Sequence, residues 1–270
     1  TTLFRSALAL QHQGKLKEAI PFYRRALKIK PDYALAHSNL LYGLHYSDYE
    51  PSAIYSEHRQ WAERHARLFA AAIQTHDNDR NPERRLRVGY VSGDFRSHSV
   101  AYFLEPPLVA HNRRDFEVIC YTNNKKVDAA TARLRELADG WREIYALDDE
   151  QVVESVRQDG IDILVDLSGH TGSNRMLVFA RRPAPVQATY IGYPDTTGLS
   201  TIDYRLTDAW ADPEGQTEHL HTEQLLRLPH GFLCFQSPSD CPEVSTPPVL
   251  QSSKITFGSF NNLAKVNAEL

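Results

Sequence analysis

The groups best placed to do chemistry in this chain stand close together in LRVGYVSGDFRSH, residues 86–98. A β-rich run, Arg87-Val88-Gly89-Tyr90-Val91, leads into a turn at Ser92-Gly93-Asp94, and Phe95, Arg96, Ser97 and His98 follow at once. A strand thus delivers a carboxylate, Asp94, and an imidazole, His98, to the end of a sheet. In open α/β sheets ligands gather beyond the carboxyl ends of the strands, so both are candidates for proton transfer or substrate positioning. Each residue type also has a structural use: Asp at a turn caps a following helix, and a lone His is often a solvated polar group.

Two further loops have similar character. Leu167 to Asn174, LSGHTGSN, puts glycines on either side of His170 and Thr171, which suits close approach by a ligand. Gly192 to Gly198, GYPDTTG, offers backbone N–H groups, hydroxyls and the ring of Tyr193. With Asp94 and His98 these loops ring one crevice. His45, at the end of LLYGLHY, is a further candidate beside a domain junction. Near the end of the chain Lys265 follows Asn261-Asn262-Leu263-Ala264 at the opening of a helix, where an ammonium opposes the helix dipole but suits an anionic phosphate.

These residues need a scaffold, and hydrophobic periodicity supplies its outline. Strand-like runs at 86–92, 116–122, 161–166 and 186–191 alternate with helical stretches near 98–112, 126–138, 148–158 and 172–181. Strands separated by helices of that length predict a parallel sheet with right-handed crossovers. The arrangement is Rossmann-like, yet no Gly-x-Gly-x-x-Gly follows the first strand, so no dinucleotide cofactor is indicated.

The first 45 residues are helical instead. Gly14, Ala19, Tyr23, Ala26 and Pro31 fit helix, turn, helix and stop, and resemble the later part of a tetratricopeptide repeat, whose period is about 34 residues. A second copy restarts at Ala34, Asn39 and Leu40. A further helix is expected from Ser52 to Ile73 with an apolar face of Ile54, Trp61, His65 and Phe69, and the imidazoles of His58 and His65 are expected to be solvated. The expected divisions are therefore helices over 1–74, a polar linker at 75–85, an α/β lobe over 86–235, a Pro/Ser-rich linker at 236–253, and the first strand and turn of another α/β lobe over 254–270.

Composition narrows the classes. The 270 residues are 41% hydrophobic and 24% charged, with net charge −4. Lys and Arg are dispersed among acids, which argues against a nucleic-acid partner. Three scattered cysteines, Cys120, Cys234 and Cys241, form neither a disulfide framework nor a zinc motif, and fit a reducing cytoplasm. No apolar run approaches the ~20 residues of a membrane span.

With these pieces together, the chain resembles the protein O-GlcNAc transferase family, which joins tetratricopeptide repeats to a GT-B glycosyltransferase region. The carrying residues are RVGYVSGDFRSH, then RPAPVQATYIGYPDTTG (182–198), IDYRLTD (202–208), LPHGF (228–232) and FNNLAK (260–265). The resemblance implies an N-terminal part of a bacterial-type member, with the second lobe truncated. It further implies inverting, metal-independent transfer of N-acetylglucosamine from UDP-GlcNAc to Ser or Thr hydroxyls of proteins, with no cofactor. By the same resemblance His98 is the proposed base with Asp94 beside it, Lys265 and Asn262 contact the donor, and Gly192 and Tyr193 line the sugar pocket. Ser99, Asp195, Asn262 and Ala264 depart from the animal form of the pattern, and they bear on donor geometry. The same architecture with GDP-fucose as donor, or a catalytically silent repeat scaffold, are the alternatives. The expected partners are a UDP-sugar, acceptor proteins or peptides, and the C-terminal lobe of the same enzyme.

Overall fold

A computed structural model of the chain describes residues 2–81, 83–237 and 241–258. Four helices come first: α1 (Thr2–His12), α2 (Leu16–Ile29), α3 (Ala34–Leu44) and α4 (Pro51–His65), the last followed by a 3-10 turn at Arg67–Ala72. Gly14, at φ +76°, takes the left-handed conformation that reverses the chain between α1 and α2. Ala19, Tyr23 and Ala26 of α2 are wholly buried. Small residues let these helices approach closely, and the Tyr23 hydroxyl donates to Gln11 at 2.5 Å.

The α/β lobe runs β1 (Leu86–Ser92), α5 (Ser99–Ala110), β2 (Phe116–Thr122), α6 (Ala129–Leu137), β3 (Gly140–Glu143), α7 (Asp149–Gln158), β4 (Ile163–Asp166), α8 (Met176–Phe179), β5 (Val186–Thr189), β6 (Tyr204–Asp208) and β7 (Gln224–Leu228). All seven strands pair in parallel, in the order β3-β2-β1-β4-β5-β6-β7. The four strands expected from periodicity are present, and β3, β6 and β7 extend the sheet. Those three are short or lie toward the edge, where burial patterns such as the exposed-to-intermediate alternation of β7 weaken the apolar signal. The expected helix at 172–181 is reduced to the single turn of α8. Asp128 and Asp148 start α6 and α7 by capping boxes with Thr131 and Gln151.

From β1 the chain proceeds outward to β2 and β3, then returns to the other side of β1 with β4. That reversal opens a crevice beyond the carboxyl ends of β1 and β4.

The polar linker is tied to the lobe: Asp162, just before β4, accepts from Arg84, Asn78 and the Arg87 backbone. Within the expected linker 236–253 there is a short helix, α9 (Pro248–Ser252), and residues 254–258 form no strand, since nothing among the described residues pairs with them. Residues 259–270, including Asn262, Lys265 and the rest of the expected strand and turn, lie outside the described residues.

The helices and the lobe meet in one shared apolar cluster, beside a separate cluster within each. Leu41 of α3 and Trp61 of α4 pack in the same apolar cluster as Val91, Ile119, Leu164 and Phe179 of the lobe. His37, His58, His65 and His170 are buried at this junction. The expectation that His58 and His65 are solvated is therefore corrected: the α4 face that carries them is covered by α3 and by the loops of the lobe. Among the described residues no helix is long and apolar enough to cross a membrane.

Candidate functional site

A cavity of about 1120 Å³ lies between the repeat helices and the strand-end loops. Its lobe wall carries Asp94, Arg96 and His98 after β1, Gly172 and Ser173 after β4, and Ile191, Gly192 and Pro194 after β5. Its helical wall carries Gln11, Lys17, Asn39, Tyr42, His45 and Tyr46. The three loops singled out in the sequence do converge, and they do so at the switch-point crevice.

Local chemistry fixes the loops. At the end of β4, Asp166 is buried and accepts from the backbone N–H groups of Ser168 and Gly169 and from the Thr189 hydroxyl. Burial pushes its pKa up to about 6, and these hydrogen bonds oppose that shift. Gly192 has no room for a side chain, because a Cβ there would lie 1.8 Å from the Leu167 carbonyl oxygen. Beside it Ile191 adopts φ +50°, a strained conformation for a β-branched residue, on the cavity wall. Nothing in the sequence signals that strain.

Asp94 is 8% exposed and pairs with Arg96 at 2.8 Å. His98 is the N-cap of α5, its Nδ1 accepting from the Val100 N–H at 3.3 Å. The Asp94 carboxylate stands 3.8 Å from the same nitrogen, an ionic neighbour beyond hydrogen-bond reach. The capping role and the cleft position are both real: one ring nitrogen holds the helix and the remaining ring faces are part of the wall.

Other candidates separate. Gly192 is on the cavity wall, but Tyr193 is 2% exposed and turns inward, its hydroxyl 2.9 Å from both His45 Nε2 and His58 Nε2. Its ring lies behind the wall, packed against His45 of the α3 C-terminus and His58 of α4, while Ile191, Gly192 and Pro194 on either side of it line the cavity. His170 is likewise not a cleft residue. It is fully buried, donates from Nε2 to the Thr197 carbonyl at 2.8 Å, and accepts at Nδ1 from Ser38. His45 keeps 20% of its side chain exposed and does belong to the wall. His45, His58 and Asp195 are the one group among the described residues whose ligand atoms gather within 4.8 Å as a metal site would need. The Tyr193 hydroxyl already bridges both imidazoles, so this donor set is used up internally.

A sequence profile of glycosyl transferase family 41 matches residues 28–268, nearly the whole chain. The chain belongs to glycosyl transferase family 41. A tetratricopeptide repeat profile matches residues 7–40, over α1 to α3. Among family 41 relatives, a Petunia hybrida protein named probable UDP-N-acetylglucosamine–peptide N-acetylglucosaminyltransferase SPINDLY is 45% identical over 249 residues, covering 90% of this chain and 26% of that protein. The Arabidopsis thaliana protein of the same name with the suffix SEC is 33% identical over 196 residues, 69% of this chain and 20% of the relative. A solved structure of a mutant O-GlcNAc transferase from Thermobaculum terrenum superposes with a TM-score of 0.83 at 43% identity, covering 90% of this chain and 46% of that one. This family 41 chain thus spans about a quarter of the length of the SPINDLY relative and just under half of the solved chain.

Proposed function

We propose that this chain contributes the first catalytic lobe and adjoining repeats of an inverting glycosyltransferase that moves N-acetylglucosamine from UDP-GlcNAc to Ser or Thr hydroxyls of proteins. The observation that carries the reading is the placement of Asp94 and His98 on a large cavity at the β1/β4 crevice, opposite a wall of repeat helices, in a family 41 chain.

Inverting transfer needs an acceptor hydroxyl aimed at the anomeric carbon, a route for its proton, and stabilisation of the departing diphosphate. The helical wall faces the lobe wall across a cavity of about 1120 Å³. For His98 to take a proton at Nε2, its own proton must sit on Nδ1. A small ring rotation would exchange the Val100 cap for the Asp94 carboxylate, which would then stabilise the imidazolium. Lys265 and Asn262 would meet the donor diphosphate from the second lobe, with Gly192 on the cavity wall at the sugar side. No cofactor is required by this chemistry. The unpaired thiols of Cys120, Cys234 and Cys241 support a reducing, cytoplasmic setting.

Calorimetric titration of the full-length protein with UDP and with GDP tests the donor class. Preference for UDP is expected. Preference for GDP would transfer the reading to a fucose donor, and binding of neither would favour a silent scaffold.

A further inference from the structure

Hydrogen-bond direction fixes the tautomers of the histidines behind the cavity wall. His58 Nδ1 lies 2.8 Å from the Ile54 carbonyl, which only accepts, so Nδ1 carries a proton. Burial lowers the His58 pKa to about 3, so the ring is neutral and its Nε2 is bare. The Tyr193 phenol, kept protonated by burial, must therefore donate to His58 Nε2 across 2.9 Å. With its proton committed, the same oxygen accepts from His45 Nε2, also at 2.9 Å. Asp195 Oδ2, 3.6 Å from that nitrogen, favours a proton there too. Burial lowers the His45 pKa and the Asp195 charge opposes the shift, which leaves at neutral pH a ring with its proton on Nε2 and a bare Nδ1.

His170 packs edge-on against both His58 and Tyr193, with its ring nitrogens already bonded to Ser38 and Thr197. Tyr42 and Asp195 bear on the Tyr193 hydroxyl and Arg205 lies on its lobe side, donating to the Tyr193 carbonyl at 3.1 Å. His37 and Glu57 act on His58 from α3 and α4. None of them supplies a proton to His45 Nδ1. Across the cavity His98 has the opposite polarity: its Nδ1 accepts from Val100, so the neutral ring presents Nε2–H.

We propose that His45 is a specificity-determining residue of the cleft, its Nδ1 accepting a hydrogen bond from an N–H or O–H group of the bound substrate. Tyr193 and His58 are positioning residues that hold His45 in the accepting tautomer. This inference rests on the cavity being the substrate cleft. The donating group can belong to the sugar or to the acceptor polypeptide, and separate KM values distinguish the two.

Two measurements on the full-length protein test it. Ring-labelled histidine in a two-bond ¹⁵N–¹H spectrum at pH 7.5, assigned by loss of the signal in His45→Ala, should show His45 with an unprotonated Nδ1. Tyr193→Phe should convert that signal to a mixture of tautomers. Kinetically, His45→Ala should raise KM for one substrate roughly 3- to 10-fold, the loss of one neutral hydrogen bond, with kcat little changed. His45→Asn, whose Oδ1 stands near the Nδ1 position, should recover most of it. A proton on His45 Nδ1, or unchanged KM values for both substrates in His45→Ala, overturns the proposal. Absence of turnover in the unmutated protein counts instead against the transferase reading, and the spectrum still decides the tautomer.

Discussion

Ser38 Oγ donates to His170 Nδ1 at 3.1 Å, so a repeat helix and a strand-end loop of the lobe share a hydrogen bond inside a buried junction. His170 also packs edge-on against Trp61 of α4, with ring centroids 4.8 Å apart. The helical wall of the cavity is therefore set against the lobe wall by specific contacts, and the width of the cleft depends on them.

Removing the hydroxyl should loosen that junction. Ser38→Ala leaves His170 Nδ1 buried without a donor, and the expected loss is about 1–3 kcal/mol of unfolding free energy. Urea denaturation of the two proteins measures it. A loss below a few tenths of a kcal/mol would mean that the junction is not held by this bond.

Acid should destabilise the same region. Burial holds His58 near pKa 3 and His65 near 4, and His170 well below the ordinary value of 6.5, so the unfolded chain binds more protons than the folded one. Stability is full above about pH 6.5 and falls as pH drops toward the folded values, by at most about 1.4 kcal/mol per pH unit for each imidazole. Asp166, raised to about 6, acts with the opposite sign between about 6 and 3.8 but is one group against three. Thermal unfolding from pH 8 to pH 5 should show a falling Tm. A Tm that is flat or rises on acidification contradicts the buried-neutral assignment.

Gly192 and Gly172 should respond differently to the same substitution. A Cβ at Gly192 would collide with the Leu167 carbonyl, whereas one at Gly172 meets nothing within 4 Å. Gly192→Ala should displace the loop after β5 and cost more than 2 kcal/mol of stability, on the order of a severe steric clash. Gly172→Ala should lie within about 0.5 kcal/mol of the unmutated protein. Equal melting temperatures for the two variants would remove Gly192 from its structural role.

His98 faces a more direct test of its chemistry. Its Nδ1 caps α5 through Val100, so His98→Asn, with a capping oxygen near the same place, should retain stability better than His98→Ala. Both should lose turnover if the imidazole moves the proton. A pH–rate profile whose shape is unchanged in His98→Asn would rule out that role.

Much of this site was legible in the sequence because strand-end loops announce themselves. A β-rich run ending in Ser92-Gly93-Asp94, and glycines around His170 and after Ile191, mark where strands stop and polar groups collect. The loops converge as expected. Side-chain direction was not legible, since a Gly-Tyr-Pro turn carries no record of whether its ring faces a cavity or the core. Tyr193 and His170 point into the junction because α3 and α4 pack over them. His58 and His65 were hidden for the same reason: periodicity within α4 reports one apolar stripe, and only the covering elements decide that a neighbouring polar stripe is buried too. The edge strands β3 and β7, and β6 beside β7, escaped detection because short or partly exposed parallel strands carry a weaker apolar signal than the well-buried β1.

The central claim is tested most directly by sugar transfer itself. The full-length protein, incubated with isotope-labelled UDP-GlcNAc and a mixture of unstructured acceptor peptides, should place label on Ser or Thr side chains, mapped by electron-transfer fragmentation. Asp94→Asn, His98→Ala and Lys265→Ala should each reduce labelling at least tenfold, on the scale of a lost proton-transfer or charge-stabilising group. No label from UDP-GlcNAc in the unmutated protein, or full labelling by all three variants, would contradict the account.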